Sequence, residues 1–198
     1  MDVVVDLESP PGCQLRVPME RVEFDRLEEA DALPTHAEWY DGLCVVTGAP
    51  FLRHTVAASE LLRLLFAVAP QDHLVVSQCG WTTPIGFFIP DLLTCHVDTE
   101  GSKYLEAAPL LVVEVLSPST RQDDLNRKRD LYAASGADWY WIVDPVAPWV
   151  AILERQDDRY VEVQRIGPGE SATAVGPYRL TLAPDALIRR RSDRLGLS

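Results

Sequence analysis

Apolar positions recur at two different spacings along the chain, and each change of spacing marks an element. Residues 19–31 set Val22, Leu27 and Ala30 at helical intervals among polar neighbours, predicting a first helix. "AEWYDGLCVVTG" then reads as a hairpin, with a strand over 36–40, a turn at Asp41-Gly42 and a strand over 43–47. Residues 53–70 carry a strong helical pattern, with Val56, Leu61, Leu64, Leu65 and Val68 on one face and Pro70 as the stop. Two strand segments follow, "HLVVSQCGWTTP" and "GFFIPDLLTC", separated by turn residues at 83–86. The polar stretch 97–108 reads as a mobile loop. Residues 110–116 form an apolar run broken only by Glu114, the pattern of a central strand buried on both faces. Thr120 is placed to cap a helix reaching about Ser135, with Asp123 completing a capping box and Gly136 ending it. "DWYWIVDP" predicts a strand, residues 149–166 a hairpin turning at Asp157-Asp158, and "YRLTLAPDAL" a last short strand.

These elements predict an α+β, α/β/α-like fold. A twisted mixed sheet would carry the helix 53–69 on one side and the helix 121–135 on the other. Residues 1–18, containing ESPPG, read as a loosely ordered arm with a short strand at Val3–Val5. Residues 19–190 read as a single domain, and 191–198 as a tail.

Composition narrows the function. The apolar stretches fall far short of the roughly 18–20 residues that span a bilayer, so no membrane role is expected. The N-terminus is acidic and lacks a signal peptide's basic and apolar regions, which predicts a cytoplasmic protein. Cys13, Cys44, Cys79 and Cys95 are scattered, form no CxxC pair and read as buried thiols rather than zinc ligands. The net charge of −12 weighs against a broad electrostatic grip on nucleic acid, though not against a local basic patch or a metal-bridged site.

Candidate chemistry concentrates between residues 90 and 132. Pro90-Asp91 sits in a strand segment, Glu114 lies mid-strand, and Asp124, Lys128 and Tyr132 recur every four residues along one helical face. Two carboxylates on neighbouring strands can share a hard cation, which would offset the cost of burying Glu114. A nearby lysine can stabilise charge developing at phosphorus. Each position also has a plainer role. Asp91 can cap a turn, Glu114 can pair with Arg53 or Lys128, Asp124 and Lys128 can form a solvated helix pair, and Asp144 can end its strand. His36, His73 and His96 show no partner pattern.

The string PD, then "VVEVLSPST", then D-x-x-x-K-x-x-x-Y, then "YWIVDP", resembles the Uma-two family of restriction-endonuclease-like proteins. That family is a branch of the PD-(D/E)xK nuclease superfamily. The likeness extends to "FDRLEEADALPTHAEWYDGLCVVTGAP" and "RHTVAASELLRLL", and covers about residues 20–187. It implies a restriction-endonuclease-like fold and a Mg²⁺- or Mn²⁺-dependent endonuclease cutting DNA with a metal-activated water. By position, it makes Asp91 and Glu114 metal ligands, together with the Val115 carbonyl. The ExK lysine is absent, because Leu116 stands two residues after Glu114. The resemblance transfers the lysine's role to Lys128. Glu38 and His54 match an acidic hairpin residue and a helix-leading histidine, and with Asp124 and Tyr132 they are the supporting candidates. A homodimer is expected, through the hairpin 149–165. The competing readings are a catalytically inactive binding module on the nuclease fold and a hydrolase of small phosphorylated substrates.

Overall fold

The computed structural model describes residues 14–99 and 103–188. In chain order the elements are β1 (Gln14–Pro18), α1 (Arg21–Glu29), β2 (Ala37–Tyr40), β3 (Leu43–Thr47), α2 (Leu52–Val68), β4 (His73–Ser77), β5 (Trp81–Thr83), β6 (Gly86–Phe88) and β7 (Leu92–His96). A 3₁₀ turn at Val97–Thr99 leads to β8 (Leu111–Val115). A π-helical stretch, Asp123–Arg127, runs into α3 (Lys128–Ala134), followed by β9 (Trp139–Asp144), β10 (Trp149–Gln156), β11 (Arg159–Ile166), β12 (Ala172–Thr173), β13 (Thr181–Leu182) and α4 (Pro184–Ile188).

Two sheets organise most of these elements, and β12 pairs with β13 in a separate two-stranded ribbon. The larger has the order β11-β10-β9-β8-β7-β4, and the smaller β1-β3-β2-β6-β5. Within the larger sheet β8 and β9 run parallel, as the intervening helix requires. The other pairs are antiparallel.

Side chains on β8 alternate between two cores. Leu111, Val113 and Val115 pack with Ala57, Leu61 and Leu65 of α2. Val112 and Leu116 pack with Tyr132 and Ala133 of α3 and with Tyr40, Trp81 and Phe88 of the smaller sheet. Helices therefore lie on both faces of the large sheet, as the pattern predicts. The smaller sheet shares the second face with α3, which the sequence did not anticipate.

Tertiary packing overrides the local reading at several places. Gln14–Pro18, expected within the arm, pair with β3 as a strand, while Val3–Val5 lies outside the described residues. Phe24 is the buried anchor of α1, against Phe87 at 5.4 Å between ring centroids, whereas Val22 is exposed. The buried stripe of α2 is His54, Ala57, Leu61 and Leu65, which leaves Val56 and Val68 at the surface. Both predicted strand segments of residues 73–95 break in two, because the chain crosses between sheets at Gln78–Gly80 and again at Ile89–Asp91. Within 97–108, the expected mobile loop is fastened by Tyr104 against Phe87 and by Leu105, whose backbone bonds Gly80 and Thr82.

The Thr120/Asp123 capping box does not form. Asp123 instead accepts hydrogen bonds from Arg16 and from Tyr40, the latter at 3.1 Å. The turns are as expected. Asp41 and Gly42 both take positive φ (54° and 72°), the geometry of a tight two-residue hairpin, and Gly136 closes α3 at φ 93°.

Candidate active site: buried carboxylates around one lysine

Glu114 occupies the fourth position of β8, facing α3 and the small sheet. It lies deep in the molecule (4% exposed), so its charge needs partners. Lys128 Nζ donates to Glu114 Oε1 at 3.1 Å, and the Tyr132 hydroxyl donates to the same oxygen at 2.6 Å. Lys128, equally buried, also lies 2.8 Å from Glu38 Oε2. The other Glu38 oxygen accepts the Ile89 N–H at 2.8 Å. Glu38 thereby ties β2 to the chain segment that carries Asp91.

Asp91 lies just ahead of β7, not within a strand, at the crossing between the two sheets. Its Oδ2 accepts the Val115 N–H at 2.8 Å and lies 3.0 Å from His54 Nε2. Its Oδ1 accepts from Gln78 Nε2 at 3.2 Å, and its own N–H points to Glu114 Oε2 at 3.4 Å. His54 reaches this point because it heads the buried stripe of α2. The contact seen for Val115 is therefore through its amide.

Asp124 lies in the π-helical stretch, 4.0 Å from Lys128 Nζ. π-turns insert an extra residue into a helix and recur at functional sites. Asp124 is 1% exposed, and both of its carboxylate oxygens lack a hydrogen-bond partner.

The electrostatics follow from crowding acids around few bases. Burial pushes Glu114 well above the usual carboxylate range; Lys128 opposes this, while Asp124, Asp91 and Glu38 reinforce it. Burial likewise raises Asp124 to about 7, again against Lys128. Burial alone would lower Lys128, but the charges of Glu114, Glu38 and Asp124 hold it well above an ordinary lysine. Asp91 moves the other way: its bonds from His54 and the Val115 amide outweigh burial and hold it below normal. Burial would lower His54, yet the bond to Asp91 and its charge keep that histidine raised.

The structure brings together all the sequence-chosen residues: Asp91, Glu114, Lys128, Glu38, His54, Asp124 and Tyr132. Glu38, His54, Asp91, Glu114 and Lys128 border a cleft whose wall also includes His36, Thr47, Phe51, Gln78, Ser117 and Thr120, while Asp124 and Tyr132 lie buried behind it. Gln78 was missed by sequence reasoning. It follows β4 with φ 54°, a conformation uncommon outside glycine and asparagine, and this aims its amide at Asp91. No periodicity marks such a residue.

The family model Uma2, described as "Putative restriction endonuclease", matches residues 21–183. No curated protein matches the chain. The fold is similar to the crystal structure of a putative nuclease belonging to DUF820 from Anabaena variabilis, with a TM-score of 0.69 and 20% sequence identity. That likeness covers 82% of this chain and 96% of the other, consistent with a restriction-endonuclease-like fold. Among the described residues, no helix is long and apolar enough to cross a membrane.

Proposed function

The chain belongs to the Uma2 family of putative restriction endonucleases, and from that premise we propose that it is a Mg²⁺- or Mn²⁺-dependent endonuclease hydrolysing phosphodiester bonds in DNA. One observation carries the reading: Asp91 and Glu114, 23 residues apart, meet through the Asp91 N–H, with Lys128 bonded to Glu114.

The residues fit a hard divalent cation. Among the described residues, the four acids Glu38, Asp91, Glu114 and Asp124 gather around two basic groups, Lys128 and His54, and the buried oxygens of Asp124 have no hydrogen-bond partner. Asp91 and Glu114 would hold the ion, with the Val115 carbonyl as a further oxygen ligand. Once bound, it supplies Lewis-acid charge at the scissile phosphate and acidifies the attacking water.

The chain's own groups do the remaining work. Lys128 places a fixed positive charge where negative charge develops on the phosphate. It takes the place of the lysine absent at Leu116, whose side chain is spent in the core. Glu38 and Asp124 orient Lys128, and Tyr132 holds Glu114 in its rotamer. His54, Gln78 and the Val115 amide fix Asp91. Acting on DNA, such an enzyme works in the cytoplasm. β11 is an edge strand with Val161 and Val163 exposed, and the hairpin of β10 and β11 is the proposed homodimer contact.

Incubation of the purified protein with supercoiled plasmid in Mg²⁺ or Mn²⁺ tests this. Cleavage that stops with a chelator, and that falls roughly 10²–10³-fold in Asp91→Asn and Lys128→Met, is the expected result. No cleavage of any DNA form with either ion, or equal cleavage by the variants, rejects it. The missing lysine at Leu116 favours the alternative, an inactive binding module on the same fold. Under that reading, the wild type binds DNA but cuts none.

A further inference from the structure

A second group of ligating side chains lies away from the cleft. β4 and β7 pair antiparallel so that His73 stands directly opposite His96. Their rings meet edge-on, 4.9 Å between centroids. One ligating atom from each, together with a carboxylate oxygen of Asp72, lie within 4.8 Å of one another. Asp91 precedes the other end of β7, so the two clusters are separated by the strand's length, about 16 Å at about 3.3 Å per residue.

Two further facts make this more than a chance meeting of surface groups. The hydroxyl of the buried Tyr178 lies 2.8 Å from His73 Nδ1, which fixes the ring; with Nδ1–H donating to that hydroxyl, the Nε2 lone pair is the one free for a ligand. Such a fixed partner on the second nitrogen is the usual support of a metal-binding histidine. The Asp72 carbonyl accepts the Val97 N–H, so the backbone ladder continues past the histidine pair and holds Asp72 beside it.

We propose that Asp72, His73 and His96 form a second metal site, selective for a transition-metal ion such as Zn²⁺. Two imidazoles and one carboxylate are donors for Zn²⁺ or Co²⁺, whereas Mg²⁺ prefers an all-oxygen shell. Tetrahedral Zn²⁺ sets its nitrogen and oxygen ligands about 3.4 Å apart, a closure that the exposed Asp72 and His96 reach by side-chain rotation. Three protein ligands leave the fourth position to water. The ion joins the first residue of edge strand β4 to the last of β7. Through Tyr178 it also tethers the segment ahead of β13.

Calorimetric titration of the full chain with Zn²⁺, in excess Mg²⁺ to occupy the cleft, tests the site. One Zn²⁺ equivalent is expected, weakened at least tenfold in His96→Ala and unchanged in Asp91→Asn. Co²⁺ should give visible absorption bands that the His96→Ala variant loses. Zn²⁺ should also raise the melting temperature of the wild type but not of His96→Ala. His96 is exposed, so its variant should keep the wild-type circular dichroism. Equal Zn²⁺ affinity in wild type and His96→Ala overturns the proposal, as does absence of Zn²⁺ binding under excess Mg²⁺. Neither result bears on the nuclease reading, which depends on the other end of β7.

Discussion

Glu114 sits in an otherwise apolar strand because its charge is met from α3 by Lys128 and Tyr132 and from the chain ahead of β7 by the Asp91 amide. Removing either partner on α3 leaves a buried oxygen short of a donor. Tyr132→Phe keeps the ring against Trp81, Phe88 and Tyr140 and deletes only the hydroxyl. We expect it to lower unfolding free energy by about 1.5–3 kcal/mol, the range for a hydrogen bond to a charged group, measured by urea denaturation. Lys128→Ala strands Glu114 and Glu38 together. It should cost about 3–5 kcal/mol, more than Tyr132→Phe in the same assay. A smaller loss for the lysine would mean that the carboxylates find other partners.

The elements show how short-range rules and packing divide the work. Asp144 ends β9 as its Asp-Pro sequence suggests, but it is also a junction. It accepts from Arg121, ahead of the π-helical stretch, at 2.7 Å, and from the amides of Val146 and Ala147 at 2.8 and 3.0 Å. Burial pushes this carboxyl up, but those donors outweigh it and hold it below its ordinary value. Because its folded pKa is depressed, its stabilisation is complete above the unfolded value of about 3.9 and is lost as pH falls through the folded one. Asp144→Asn should therefore flatten the stability–pH curve below about pH 4 and lower stability at pH 7, both read from denaturation series. At the hairpin of β2 and β3, Gly42→Ala puts a Cβ on a left-handed residue with open space around it. The expected cost is about 1–2 kcal/mol of backbone strain, with the fold unchanged.

For the whole molecule, charge and assembly matter more than any single contact. A chain carrying −12 repels a polyanion, so the proposed DNA binding requires a local contact aided by the proposed divalent ion. Duplex affinity should rise when Mn²⁺ is added. Its salt dependence should be shallow, with a log–log slope of about −3 or less, as expected for few phosphate contacts. Titrating fluorescent duplex at several salt concentrations measures both, and a steep slope without metal would contradict the local picture. The proposed hairpin-mediated dimer is read by light scattering. Val161→Asp with Val163→Asp should give a monomer.

The sequence by itself determined the elements whose signals are local. The Asp41-Gly42 turn, the buried run with Glu114, Gly136 at the end of α3 and the four-residue spacing of Asp124, Lys128 and Tyr132 all depend on near neighbours. It also supplied the candidate cleft residues, through the string from Pro90 to Pro145, the hairpin that carries Glu38 and the helix that His54 leads, by their likeness to a family. Residues whose roles come from distant partners were not legible. Nothing near Gln78 shows that it will point at Asp91, and nothing between residues 73 and 96 shows that the two histidines will face each other. The face of α2 was misread for the same reason: Val56 is apolar, but the sheet lies on the side of His54 and Ala57. Helical and turn propensities are fixed within a few residues, whereas register, the crossing between sheets and the burial of charge depend on what the folded chain brings alongside.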